Sequence, residues 1–130
     1  MLEQLATLWL IENSDTFLPA RRKMLVERRN RCGELLREHF PDWTFHEAEG
    51  GLSYWIELPG MLATQLAARA ETIGINMGTG TRFGLSGAFD RYLRMPFSLE
   101  PEELEQALLR IKPLWLALNT ITPSIKRSLV

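Results

Sequence analysis

The chain has 130 residues, 45% of them hydrophobic and 24% charged, with 15 basic and 16 acidic side chains. That is one domain with enough apolar content for a self-sufficient core, which excludes a disordered polypeptide. The near-cancelling charge leaves no global field to recruit nucleic acid or an anionic membrane. The single cysteine, Cys32, excludes a disulfide framework and a cysteine-based zinc site. With only His39 and His46 besides, no metal site is expected. No apolar stretch approaches the roughly 18 residues that span a bilayer. Met1 to Ile11 also lacks the basic start and small-residue cleavage site of a signal peptide, so the chain reads as cytoplasmic.

In chain order, Leu2, Leu5, Leu8, Trp9 and Glu12 fall at helical spacing, and Asn13-Ser14-Asp15 breaks the pattern. A second helix is predicted from about Leu18 to His39, with Pro19 in its first turn and Leu25, Cys32, Leu35, Leu36 and Phe40 inside. After Pro41-Asp42 the period changes from about 3.6 to 2. Trp43 to His46 is a short strand, Glu49-Gly50-Gly51 a turn and Leu52 to Leu58 the return strand, together an antiparallel hairpin. Leu52, Tyr54, Ile56 and Leu58 share one face of it; Ser53, Trp55 and Glu57 share the other. Met61 to Ile73 is a helix with Leu62, Leu66, Ala70 and Ile73 inside, closed by Gly74 in a left-handed cap. Ile75 to Met77 is a brief strand, followed by the glycine-spaced loop Gly78 to Gly84. Arg91 to Phe97 is the fourth strand, placed at a sheet edge, or ended, by Pro96. The last helix opens at Pro101, capped by Ser98 or Glu100, with Leu104, Ala107, Leu108, Ile111 and Trp115 inside and a kink or stop expected at Pro113. The order predicts an α+β fold: a small, mostly antiparallel sheet of three to four strands covered by helices.

Arg94 leads the residues that could carry chemistry. Alternation puts Leu93, Met95 and Phe97 on the core face of its strand, and Tyr92, Arg94 and Pro96 on the other. A strand-mounted arginine is a rigid, permanently charged fork suited to a carboxylate. Most surface arginines do nothing specific, so spacing alone favours a solvated or salt-bridged side chain. The Gly78 to Gly84 loop could cradle an anion. It matches neither a Walker loop nor a dinucleotide fingerprint, and a connection needing glycine for positive φ is the simpler reading. From Arg21 to Arg37 seven basic residues face two acidic ones, which raises nucleic-acid binding. Aromatic interleaving is absent there, so a solvated helix face is the simpler reading. His46 and Glu47, adjacent on a strand, point to opposite faces and cannot cooperate as acid and base. Cys32 reads as a small core residue.

Four motifs in order resemble the small domain of fold-type I pyridoxal-phosphate aminotransferases, over about residues 2 to 118. Glu49 to Pro59 is similar to that family's glycine-glycine hairpin and W-x-E-L-P strand. Ile75 to Phe83 is similar to its V-x-x-x-P-G-x-x-F loop, with Thr79 standing where proline is usual. Arg91 to Phe97 is similar to its x-x-L-R-L-x-F strand, followed by a helix opened by Pro101-Glu102-Glu103. The L-R-x-P-F variant most resembles the MocR group of GntR-family transcription regulators, which join a winged helix-turn-helix to an aminotransferase-like body.

The resemblance implies that Arg94 binds the carboxylate of an amino-acid substrate or effector, with Gly80 and Phe83 in a possible site loop. In the family, pyridoxal phosphate is held as a Schiff base by a lysine of the large domain. Lys23, Lys112 and Lys126 do not stand in that motif. The chain is therefore expected to be an isolated C-terminal effector-binding domain of a dimeric regulator, without catalytic residues, activity, bound cofactor or nucleic-acid contact of its own. The cofactor would sit in the full-length parent. The implied partners are the large domain, the winged helix-turn-helix, a homodimer mate and an amino acid or amine effector. Residues 1–17 are expected to pack on the large domain, 18–119 to form the small domain and 120–130 a loose tail. The alternatives are the small domain of a true aminotransferase and a free-standing nucleic-acid-binding module that uses the basic helix.

Overall fold

The computed structural model describes residues 1–127, with side chains as far as Thr120. Its elements are α1 (Leu2–Glu12), α2 (Ser14–His39), β1 (Thr44–Phe45), β2 (Ser53–Glu57), α3 (Ala63–Glu71), β3 (Gly78–Thr79), a 3-10 turn (Gly80–Phe83), β4 (Tyr92–Pro96) and α4 (Pro101–Arg127). The sheet is antiparallel throughout, in the order β1-β2-β4-β3. The predicted α+β class, with four short strands under helices, is what the chain adopts.

Alternation sets the two faces of the sheet. Tyr54 and Ile56 on β2 and Leu93 and Met95 on β4 are buried beside Cys32, Leu35 and Leu36 of α2, Leu66 and Ala70 of α3, and Leu104, Leu108, Ile111 and Trp115 of α4. Leu52, expected on this face, lies just outside β2 and is half exposed. Ser53, Trp55, Glu57, Tyr92 and Arg94 take the opposite face, which stays partly or fully exposed. The helices thus cover one side and leave the other open.

Several boundaries differ from expectation for identifiable reasons. α2 begins at Ser14, not near Leu18, because only Asn13 interrupts the helical run and its side chain turns back onto the Trp9 carbonyl, 2.8 Å. Pro19 lies inside α2, where it forfeits one backbone bond near the helix start. β4 is an interior strand, contrary to an edge placement. Pro96 is tolerated because it ends the strand, and β3 pairs only with Leu93 and Arg94. Ile75 to Met77 are not the third strand: Gly74, at φ +79, caps α3, Ile75 donates to the Ala70 carbonyl, and pairing begins only at Gly78. α4 runs through Pro113, since Ile111, Trp115 and Leu118 are buried on both sides of it. The same helix carries on through the expected loose tail as far as Arg127; residues 128–130 of that tail lie outside the described residues.

Cys32 is a core residue as expected, fully buried, and desolvation pushes its thiol from the ordinary value near 9 up to about 12. The unfolded thiol ionises first, so this group's share of stability is whole below its unfolded pKa and is lost as pH rises toward 12. At pH 8 the folded chain therefore carries far fewer thiolates than the unfolded one. Cys32 is therefore expected to resist an aromatic disulfide reagent until denaturant is added. Rapid labelling of the folded chain would show that the burial is wrong.

α1 is different from the other helices. None of its residues is buried, and Leu2, Leu5, Leu8, Trp9 and Ile11 are all exposed. Removing residues 2–12 is expected to cost less than about 1 kcal/mol, because no buried side chain is lost. Thermal melts of the full and shortened chains should overlay within a few degrees; a large drop would mean that α1 is docked.

Candidate functional site

The open face is built by the register of three strands. Arg94 on β4 stands opposite Trp55 on β2 and opposite Gly78 on β3. The glycine matters sterically: a Cβ there would sit 3.3 Å from the Arg94 carbonyl oxygen and 3.5 Å from its Cβ. Arg94 therefore has an indole on one flank and bare backbone on the other.

Its side chain is exposed, and its Nε donates to Ser53 Oγ at 3.1 Å. Among the described residues no carboxylate pairs with it, whereas Arg28, Arg31, Arg37 and Arg91 all have acidic partners. Arg94 is thus solvent-exposed, as spacing alone favoured, not salt-bridged among the described residues, and tethered by one hydrogen bond. One edge of its guanidinium is held, and the Nη1/Nη2 end is open.

A cluster of rings flanks this position. Tyr92 stacks on Trp55 at 5.3 Å, with Phe83 and Phe89 edge-on to the same indole at 5.7 and 6.3 Å. Trp55, Phe83 and Phe89 remain about half exposed. Gly80 is buried beneath them, and its backbone is not left-handed. A Cβ there would lie 2.3 Å from the Phe89 carbonyl oxygen and 2.9 Å from Tyr92 Cβ, so glycine is needed for close approach. The expectation that the Gly78 and Gly80 glycines supply positive φ is thus corrected. The left-handed non-glycine backbone is at Ser86, φ +54, and Phe89, φ +65, each a cost of roughly 1–2 kcal/mol.

The other candidates lie elsewhere. Arg91, just before β4, sends its guanidinium to Glu57 Oε1, 3.3 Å. Glu47 is bound by Arg37 at 2.9 Å, and His46 is exposed. On the basic helix, Arg28 holds Glu100 and the Ser98 carbonyl, Arg29 the Ala48 carbonyl, Arg31 Glu34 and Glu105, and Arg37 also covers the Phe45 ring. Four of its seven cations are tied to their own domain, which leaves Arg21, Arg22 and Lys23. A cavity of about 380 Å³ opens between α2 and the hairpin turn, lined by Arg22, Leu25, Val26, Arg29, Glu49 and Phe97, and does not include Arg94. Among the described residues no three His, Cys, Asp or Glu side chains gather as a metal site, and no helix is long and apolar enough to cross a membrane.

Ser53 is the site residue that sequence reasoning missed, and Gly78 figures there only as part of a possible anion-cradling loop. Alternation already placed Ser53 on the exposed face, but only the register brings it to Arg94.

No family model matches the sequence, and no curated protein matches it. Solved structures do. The chain is similar to an alpha-aminoadipate aminotransferase from Thermus thermophilus, complexed with N-(5'-phosphopyridoxyl)-L-leucine, with 22% identity and a TM-score of 0.79 over 90% of this chain and 31% of that one. It is similar to a multiple substrate aminotransferase from Thermococcus profundus, with 24% identity and a TM-score of 0.69 over 91% of this chain and 29% of that one. A third, an aminotransferase from Staphylococcus aureus, has 28% identity and a TM-score of 0.65 over 82% of this chain and 28% of that one. The chain therefore spans about three-tenths of the length of these aminotransferases, and its fold is that of one part of them.

Proposed function

We propose that the chain is the small domain of a larger pyridoxal-phosphate-dependent, aminotransferase-like protein, and that Arg94 receives the carboxylate of an amino acid. The observation that carries this reading is an exposed strand arginine with no acidic partner among the described residues, tethered at Nε and open there at Nη1 and Nη2. A guanidinium in that state offers two parallel charge-assisted hydrogen bonds to a carboxylate. The likeness of the fold to aminotransferases supports it.

The described residues do not fit the cofactor itself. The open face carries no lysine: Lys23 is on α2 and Lys112 on α4, both helices of the covered side, and the side chain of Lys126 lies outside the described set. Pyridoxal phosphate needs a lysine together with groups that clamp its phosphate and ring nitrogen. Those groups belong, in this reading, to a second domain, and this chain supplies the carboxylate end of the site. Titrated with pyridoxal phosphate and trapped with borohydride, the chain is expected to give scattered, sub-stoichiometric labelling. One lysine labelled stoichiometrically would remove the need for a second domain.

In its finer form the parent is a GntR/MocR-type regulator, in which the domain binds an amino-acid effector; the Leu93-Arg94-Met95-Pro96-Phe97 strand end favours it. The small domain of a true aminotransferase is the second reading, favoured by the aminotransferase neighbours. Titration of the parent with amino acids and with operator DNA separates them. A regulator responds to the amino acid by changing DNA affinity; an enzyme turns it over and ignores DNA.

A further inference from the structure

We infer that Ser53 is the positioning residue for Arg94, fixing which edge of the guanidinium meets a carboxylate. This rests on the reading of Arg94 as a carboxylate receptor and adds a second residue and a binding geometry to it.

A guanidinium can take a carboxylate side-on, through Nε and one Nη, or end-on, through Nη1 and Nη2. An exposed arginine on a flexible stem samples both and loses rotamer entropy on binding. Here the choice is made by a neighbour. Ser53 stands opposite Pro96 on β4 and Arg94 opposite Trp55 on β2, so Ser53 and Arg94 are diagonal neighbours on the same face. Diagonal neighbours are within reach of a long side chain. The Ser53 hydroxyl accepts from Nε at 3.1 Å. Nε is thereby used, and the end-on pair remains. Trp55, opposite Arg94 on β2, limits one other direction in which the stem could swing, while Gly78 on β3 leaves room on the far side. Ser53 is half-buried on a strand, so the acceptor is itself fixed.

Two measurements test this. The first uses the chain alone: the Arg94 Nε–Hε resonance, identified by its loss in Arg94→Lys, is followed for solvent exchange. Exchange is expected to be slow in the wild type and in Ser53→Thr, which keeps the hydroxyl, and fast in Ser53→Ala. Equal exchange in wild type and Ser53→Ala overturns the inference. The second uses the whole protein and the twenty proteinogenic L-amino acids as probes, with the decarboxylated amine of the tightest binder as control. Ser53→Ala is expected to weaken amino-acid binding about tenfold to 150-fold, the range for one hydrogen bond to a charged group. Amine binding should be unchanged, and Ser53→Thr should restore amino-acid affinity. A general folding defect would lower both ligands together and would count against positioning. Loss of binding in Arg94→Ala with Ser53→Ala within twofold of wild type overturns this inference and leaves the reading of Arg94 standing. No effect of Arg94→Ala, or no amino acid bound by the wild type, overturns both.

Discussion

Arg94→Ala in the whole protein is expected to weaken amino-acid binding by tens- to thousands-fold, while cofactor uptake and folding survive. The magnitude follows from what a carboxylate loses. Removing one partner of a desolvated charged pair costs on the order of 2–5 kcal/mol, much of it the penalty of leaving the other charge unpaired. Folding should not suffer, because Arg94 is exposed and its side chain makes one hydrogen bond among the described residues, to Ser53. Arg94→Lys keeps the charge but loses the fork, and the ammonium has no planar edge for Ser53 to hold. It should fall between wild type and alanine, nearer alanine. Arg91→Ala is the control. Arg91 pairs with Glu57 at 3.3 Å, both side chains a little under half exposed, and such pairs contribute about 0–1 kcal/mol. Calorimetric titration of the three variants decides the matter. The reading of Arg94 fails if its alanine variant binds within about twofold of wild type, or if Arg91→Ala does the greater damage.

The parts of this site that alternation could reach were legible before any coordinates. Period-2 spacing assigned Leu93 and Met95 inward and Tyr92 and Arg94 outward, and the strands obey it because one residue of slip would bury the arginine. The apolar stripes of α2 and α4 were equally plain, since burial follows the 3.6 period. What alternation could not supply was partnership across strands. β2 and β4 are separated by α3, β3 and the 3-10 turn, so no local pattern says that Trp55 will stand opposite Arg94, or Ser53 beside it. Prolines misled for a related reason. A missing N–H is a local penalty, yet Pro96 and Pro113 are tolerated by pairing and burial decided elsewhere in the fold. The glycines of the Gly78 to Gly84 loop were assigned to backbone freedom. Gly78 and Gly80 are there for room, under the Arg94 backbone and under Phe89, and room is a tertiary property.

Trp115→Ala is expected to be the most damaging single core substitution, and its cause lies in the same dependence on distant partners. The indole is 1% exposed. Its edge meets Trp43 at 5.6 Å, and Trp43 in turn stacks on Phe40 at 4.0 Å. The Trp115 Nε1 donates to both oxygens of Asp42, at 2.9 and 3.2 Å, and Asn119 Nδ2 reaches the same carboxylate at 3.1 Å. One side chain thus joins α4 to the corner between α2 and β1 and holds the helix beyond Pro113. Truncating a buried tryptophan costs about 3–5 kcal/mol, a large share of the roughly 5–15 kcal/mol that holds a domain together. Urea or thermal unfolding should show that loss, with Trp9→Ala, on the exposed α1, close to wild type. Trp115→Phe should fall between them: it keeps most of the packing and gives up the bond to Asp42, whose carboxylate is exposed enough to return to water. Where Trp115→Ala is still folded, Arg94 should keep its amino-acid affinity, because Trp115 packs on the covered face of the sheet and shares no partner with the open one. A Trp115→Ala chain as stable as wild type to within about 1 kcal/mol would mean that α4 ends near Pro113 after all. One that is stable but binds no amino acid would mean that the two faces of the sheet are not independent.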